Sequence, residues 1–372
     1  MSQDFTTRLQ LQLREAALRD ERRSPFGRRF ADLRHGMPAP AAVAAVALAA
    51  VLLAIVVALG GLRWGGDETV SNPKVIVNVP LADNLGFLAP GFGSVWAADV
   101  KRQVILRVDP RTRAVQAEIP TGGDPNAFGG DPTINTGAGA VWAIAHHPGT
   151  DGGHRVLRVD PRTNTVTARV TLPAAQAPLV LDVQIIDGRP WAITSRGAIE
   201  LDPVTARPRR FVRIPHPAGE PYPLWTTGGP GGELLVLTRE GRIDRYDLSD
   251  GRRTGSLRVR LAGTVAVIPT PDGLVYVTRD GELARADATD GRLAWHRQLG
   301  NMVAPPLIIG RTLWTHGSDV AGGRDRLVAV DLRSGRVLSS TGLPEFGVAG
   351  MADVGGDVWL STPAGKVMVV RP

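Results

Sequence analysis

The chain of 372 residues has no cysteine, only 5% aromatic side chains and only three lysines, at 74, 101 and 366. Without cysteine there is no disulfide framework, thiolate nucleophile, cysteine-bound zinc, iron–sulfur cluster or lipid-modified N-terminal cysteine. No phosphate loop, dinucleotide fingerprint or Ser/His/Asp motif stands out either. The glycine-rich run Gly228-Gly229-Pro230-Gly231-Gly232 reads as a turn. Lysine being scarce, 40 arginines carry the positive charge behind the net +7. That charge is spread thinly, with 8 Arg against 5 acids in residues 1–62 and 35 basic against 31 acidic side chains in the remainder. No basic stripe interleaved with aromatics occurs, so nucleic acid is not an expected partner. What is abundant is glycine (44) and proline (29), punctuating short apolar runs.

One apolar run is long. Ala41 to Leu62 is 22 residues without a charge, about 33 Å as a helix against a hydrocarbon core of about 30 Å. It predicts a single transmembrane helix within 37–62. Arg22, Arg23, Arg28, Arg29 and Arg34 precede it, whereas only Arg63 and Lys74 follow at comparable distance. The positive-inside rule then puts residues 1–36 in the cytoplasm and the rest outside a bacterial plasma membrane. The alternative is a cleaved signal peptide ending at Ala58-Leu59-Gly60. Phe5, Leu9, Leu13 and Ala16 fall at helical spacing, so the 1–36 tail carries a short amphipathic helix that contacts a partner or merely sets topology. Residues 63–72 are a linker.

Beyond the linker the sequence repeats. A strand centred on a large residue recurs at Trp96, Trp142, Trp191, Leu235, Tyr276, Trp314 and Trp359, at spacings of 46, 49, 44, 41, 38 and 45 residues. In six repeats an alternating strand follows that ends in aspartate: Asp109, Asp160, Asp202, Asp247, Asp287 and Asp331. In three of these the aspartate leads into Pro (Asp109-Pro110, Asp160-Pro161, Asp202-Pro203), a β-turn signature that makes these carboxylates turn caps rather than ligands. Units of this length fit four short strands and their turns. The expected fold is all-β: a seven-bladed β-propeller of four-stranded antiparallel blades over residues 73–372. The last repeat lacks an outermost strand, and Val75–Val79 is expected to supply it and close the ring.

Gly93-Ser94-Val95-Trp96-Ala97-Ala98, continuing to Leu106-Arg107-Val108-Asp109-Pro110-Arg111-Thr112, resembles the extracytoplasmic propellers of the YVTN type, whose relatives include streptogramin (virginiamycin B) lyase and NHL sensor propellers. Tyr276-Val277-Thr278-Arg279 nearly spells the namesake tetrapeptide. The resemblance implies the fold, and a binding or scaffolding role more often than catalysis. A second resemblance, to PQQ-binding quinoprotein propellers, rests on Asp287, Gly291 and Trp295. Asp290 stands where Thr is usual, and Gly255 and Ser339 replace the tryptophan in neighbouring repeats. It points to blade packing, and neither PQQ nor any other cofactor is expected.

The loop from His146 to His154 gathers His146, His147, Asp151 and His154 and is the candidate site for a divalent metal such as zinc, nickel or magnesium, although its spacing matches no zinc signature. Lyases of this fold imply His and Glu around an axial metal, for which the chain offers His216, His296 and His316 with Glu220, Glu240, Glu282 and Glu345. The propeller face that carries the channel mouth gathers Asp124, Asn126, His216, Tyr222, Trp225, Asn301 and Glu345 as candidate ligand-binding residues. Tyr222 and Trp225 offer either a stacking platform for a sugar or peptide, or packing between blades. Two functions follow: a membrane-anchored propeller, acting as sensor or scaffold, that binds a protein, peptide or envelope glycan; or a metal-dependent lyase or hydrolase. The whole chain is expected in the membrane fraction, and recovery of a soluble form beginning near Gly61 contradicts the anchor.

Overall fold

The computed structural model describes residues 73–99, 101–123, 133–146, 154–177, 179–215, 225–259, 261–278, 280–299, 301–302, 306–318, 325–345 and 347–372. The tail, the candidate membrane helix and the linker lie outside them. Among the described residues no helix is long and apolar enough to cross a membrane.

Alternating short strands fold into seven antiparallel sheets, the blades. Blade 1 comprises Leu85–Gly91, Ser94–Asp99, Val104–Val108 and Val115–Pro120. Blade 2 comprises Ile134–Gly137, Ala140–His146, His154–Asp160 and Thr165–Thr171, and blade 3 comprises Val180–Ile186, Arg189–Thr194, Gly197–Leu201 and Pro208–Arg213. Blades 4 and 5 run Trp225–Gly228, Glu233–Leu237, Arg242–Asp247, Arg253–Arg258 and Thr264–Thr270, Gly273–Thr278, Glu282–Ala286, Leu293–Gln298. In blade 6, Asn301–Met302 and Leu307–Ile309 both pair with Thr312–Ser318, splitting the innermost position; Asp325–Asp331 and Val337–Gly342 follow. Blade 7 is Gly350–Val354, Asp357–Ser361 and Lys366–Arg371, completed by Lys74–Pro80. That last pairing is antiparallel, from Lys74↔Arg371 to Pro80↔Lys366, so the two ends of the propeller are joined in one blade as expected.

Both faces of a blade are apolar, and the buried side chains collect between blades. Trp96 lies with Ile134, Val141 and Leu157 of blade 2, and Trp142 with Val183, Ile185 and Ile199 of blade 3. Trp314 packs with Met351, Val358 and Met368, and Trp359 with Leu88, Val95 and Leu106, which carries the packing across the closure. Each aromatic of this kind removes about 150–250 Å² from water.

Arginines tie the same junctions, which the repeat pattern does not announce. Arg107, opposite Trp96 in register, donates to Pro161 O (2.7 Å) and Asn164 Oδ1 (3.0 Å) in the turn of blade 2, with its guanidinium 5.3 Å from the Trp96 ring centroid. Arg158 likewise reaches Pro203 O of blade 3 (2.7 Å), and Arg245 reaches Ala288 O of blade 5. Blade 3 has Glu200 at this position. Arg210 on the neighbouring strand pairs with it at 3.0 Å, lies over Trp191 and donates to Ser249 O of blade 4. The charges have exchanged strands and the tie survives.

Blade 5 departs from the repeat. In the other blades that have the terminal aspartate, the large residue faces the third-strand residue two before it, as in Trp142↔Arg158 and Leu235↔Arg245. In blade 5 that position is Val275↔Arg285, and Tyr276 sits one residue on, opposite Ala284. Successive strand residues point to opposite faces, so Tyr276 turns toward blade 4, where burial pushes its phenol up to about 12 against the opposing pull of Arg245. The junction with blade 6 is filled from the outermost strand instead. Trp295 donates Nε1 to Leu332 O at 3.0 Å and covers Gly335 so closely that a Cβ there would lie 2.6 Å from Trp295 Cδ2. This is the blade packing expected of the tryptophan that resembles the quinoprotein motif.

Two variants separate packing from backbone strain. Gly93 and Gly335 both have positive φ (70° and 69°), but a Cβ at Gly93 meets nothing within 4 Å. Gly93→Ala is expected to cost about 1 kcal/mol and Gly335→Ala about 3 kcal/mol by denaturant unfolding. Equal costs would mean that Trp295 does not hold the junction. Deleting residues 73–80 is expected to lower the Tm sharply, and an unchanged melt would exclude closure by this strand.

Candidate functional site

Antiparallel order divides the loops. Turns between first and second and between third and outermost strands open on one side of the ring; loops from second to third strand and from one blade to the next open on the other. The turn aspartates occupy the first side and act as caps. Asp109 Oδ1 accepts from the Arg111 and Thr112 amides (2.8 and 2.7 Å), and Asp202 Oδ1 from Val204 and Thr205 (2.8 and 2.7 Å). These backbone bonds hold both carboxyls below the usual range.

Of the sequence-derived candidates, Asp124, Asn126, His147, Asp151, His216, Glu220 and Tyr222 lie outside the described residues. His146 and His154 are paired in register at the ends of their strands, and Asn301 pairs with Ser318; only their backbones are described. Trp225 is not a surface platform: it is 2% exposed and packed in the core of blades 4 to 6, which corrects the stacking reading in favour of packing. Glu345 is engaged in the closure. Lys366 Nζ lies 2.6 Å away and Asn78 donates to it at 3.1 Å, and these partners, Lys366 foremost, hold its carboxyl below the usual range.

Two of the lyase candidates, His316 and Glu240, are engaged too. His316 is fully buried with Nε2 2.7 Å from Asp325 Oδ2, which also accepts from the Gly347 amide at 2.6 Å. Burial raises the Asp325 carboxyl, but His316 and Gly347 outweigh it and keep it lowered. Glu240 pairs with Arg242 at 3.3 Å. His296 is exposed on the outermost strand of blade 5.

Two features had no signal in the sequence. The first is a polar cluster on the innermost strands, which border the ring axis. Asn135 of blade 2 donates to Asp182 Oδ1 (3.3 Å) and Val183 O (2.7 Å) of blade 3, while Gln184 bridges to blade 4 through Thr226 O (3.2 Å) and the Gly228 amide (3.1 Å). Burial pushes the Asp182 carboxyl up to about 7, against the pull of the Val183 amide and the Gln184, Thr133 and Asn135 side chains. A lone Asp in an alternating strand looks like any solvent-facing residue, so only the tertiary contact reveals it. The second is a recess of about 660 Å³ at the outer end of blade 3, lined by Ala175, Arg196, Phe211, Arg213, Ile214 and Pro215. Arg196 donates to Ala175 O at 2.6 Å; Arg213 is exposed and makes no ion pair among the described residues.

A PQQ-type repeat family model described as "Outer membrane protein assembly factor BamB" matches residues 152–370, more than half of the chain, and the chain belongs to that family. The structure of BamB from Moraxella catarrhalis superposes with a TM-score of 0.52 at 14% identity, over 81% of this chain and 100% of that one. Virginiamycin B lyase from Staphylococcus aureus superposes with a TM-score of 0.61 at 15% identity over the same shares, and a catalytically inactive variant of it with quinupristin gives 0.60 at 15% identity, again over 81% and 100%. These likenesses establish the fold. No curated protein matches by sequence.

The Asp182 carboxyl makes stability depend on pH. Its folded value, about 7, exceeds the ordinary 3.8, so the folded chain binds the extra proton between these values. The contribution is full below pH 3.8 and is lost as pH rises through about 7. Asp182→Asn is expected to flatten the fall in Tm between pH 4 and 8 by several degrees; parallel wild-type and variant profiles would contradict the buried acid.

Proposed function

We propose that this member of the assembly-factor family is a non-enzymatic scaffold, tethered outside a bacterial plasma membrane by the 37–62 segment, whose propeller docks a protein partner. The observation that carries the reading is the blade 3 recess, where Phe211, Ile214 and Pro215 form an apolar floor beside the guanidiniums of Arg196 and Arg213. Arginine favours planar, two-point pairing with carboxylates. An acidic side chain next to an apolar one, on a peptide segment, is the ligand such a surface suits. The family description, which names an assembly factor, supports the same reading. So does the use of Glu345, His316 and Glu240 in contacts within the fold. A metal-dependent lyase is the second reading, favoured by the superposition with virginiamycin B lyase.

One paired experiment separates the two. Cross-linked capture from native membranes is expected to recover a partner with the wild type and about tenfold less with Arg213→Glu, roughly the loss of one charge-assisted contact. Incubation with quinupristin, the compound in the superposed structure of the inactive lyase variant, and a divalent metal is expected to yield no product. Recovery unaffected by Arg213→Glu removes the docking recess, and product above the protein-free rate establishes the lyase.

A further inference from the structure

The polar cluster between blades 2 and 3 holds acceptors that the fold itself does not satisfy. Asn135 must direct Nδ2 at Val183 O, 2.7 Å away, and this fixes its amide and leaves Oδ1 an acceptor. Asp182 Oδ1 is occupied by the Val183 amide (2.7 Å) and by Asn135 Nδ2 (3.3 Å). Asp182 Oδ2, Asn135 Oδ1 and Thr133 Oγ1 are all buried without a hydrogen-bond partner among the described residues. The Gln184 and Thr133 side chains both pull on the same carboxyl, but neither closes a hydrogen bond of good geometry to Asp182 Oδ2.

Each buried, unmade hydrogen bond costs about 1–3 kcal/mol, and native interiors leave few of them. Three on neighbouring side chains call for a common partner. A proton on Asp182 serves one neighbouring oxygen at most. A thiol- or imidazole-seeking metal finds no donor of its kind in this set. A hard cation, by contrast, is bound by oxygen alone: carboxylate, amide carbonyl, hydroxyl and water. The donors come from two blades, so an ion between them would also pin the junction at its axial edge, where Asn135 already crosses.

We propose that Asp182, Asn135 and Thr133 form a binding site for a calcium-class cation at the junction of blades 2 and 3. Water entering along the axis completes its coordination. The site is separate from the His146–His154 loop and from the blade 3 recess, and it does not depend on the docking reading.

The purified full chain, stripped with a chelator and dialysed, is titrated with calcium chloride at pH 8 while Tm and calorimetric heat are followed. One equivalent of calcium is expected to bind and to raise the Tm by several degrees, and magnesium, which gives up water reluctantly, is expected to bind more weakly. Asp182→Asn keeps the shape and loses the charge; it is expected to fold without calcium and to weaken binding at least about tenfold. Thr133→Val is expected to weaken it less. No response of the wild type up to about 10 mM, above the weakest extracellular calcium modules, overturns the proposal. So does calcium binding that Asp182→Asn leaves intact, because the ion then sits elsewhere, or binding in which magnesium is preferred.

Discussion

Burial between blades is the interaction on which this protein depends. A four-stranded sheet that is apolar on both faces has no water-compatible side, so no blade is stable until it has a neighbour on each side. A ring is the only arrangement in which none is left uncovered. It follows that the first and last blades must meet, and the pairing of Lys74–Pro80 with Lys366–Arg371 makes that meeting part of one sheet. The packing then continues from blade 7 to blade 1 through Trp359, Leu88 and Val95.

Packing alone is not directional, and the junctions are registered by polar contacts at their outer margins. Arg107, Arg158, Arg210 and Arg245 each reach a backbone carbonyl in the next blade. A guanidinium can lie on a tryptophan and donate to a carbonyl in one geometry, which a lysine ammonium cannot reproduce. This gives the arginine bias of the composition a structural use at several positions. Where the pattern fails, in blade 5, the substitution is coherent. Tyr276 turns to the opposite face and Trp295 fills the vacated junction from the outermost strand. The tryptophan that resembles a quinoprotein motif is therefore explained by geometry at its own junction.

A ring with this demand on its side chains leaves few chemical groups for function. Trp225, Glu345 and His316 all have the residue types of a binding site, but Trp225 packs where blades meet, Glu345 is engaged at the closure, and His316 pairs with Asp325 inside blade 6. For Trp225 the sequence offered packing as one of two readings and burial decides for it, whereas the engagement of Glu345 by Lys366 and Asn78 left no sign because it arises between segments apart in the chain. Less conspicuous in type are Asp182, Asn135 and Thr133, whose buried oxygens without partners lie close together near the axis, and Arg213, which lines the recess at the outer end of blade 3.

The sequence by itself determined the number of blades, the position of each large residue but one, the turn caps at Asp109 and Asp202, and the closure by Val75–Val79. These are local or periodic properties: strand alternation, turn chemistry and a repeat that stops one strand short. Only the tertiary structure decided which face Tyr276 takes, where the arginines end, that Asp182 is sealed beside Asn135, and that Glu345 belongs to the closure. Those outcomes depend on which blade stands beside which and at what height. Periodicity along one chain does not encode that relation, and burial creates it when the ring closes.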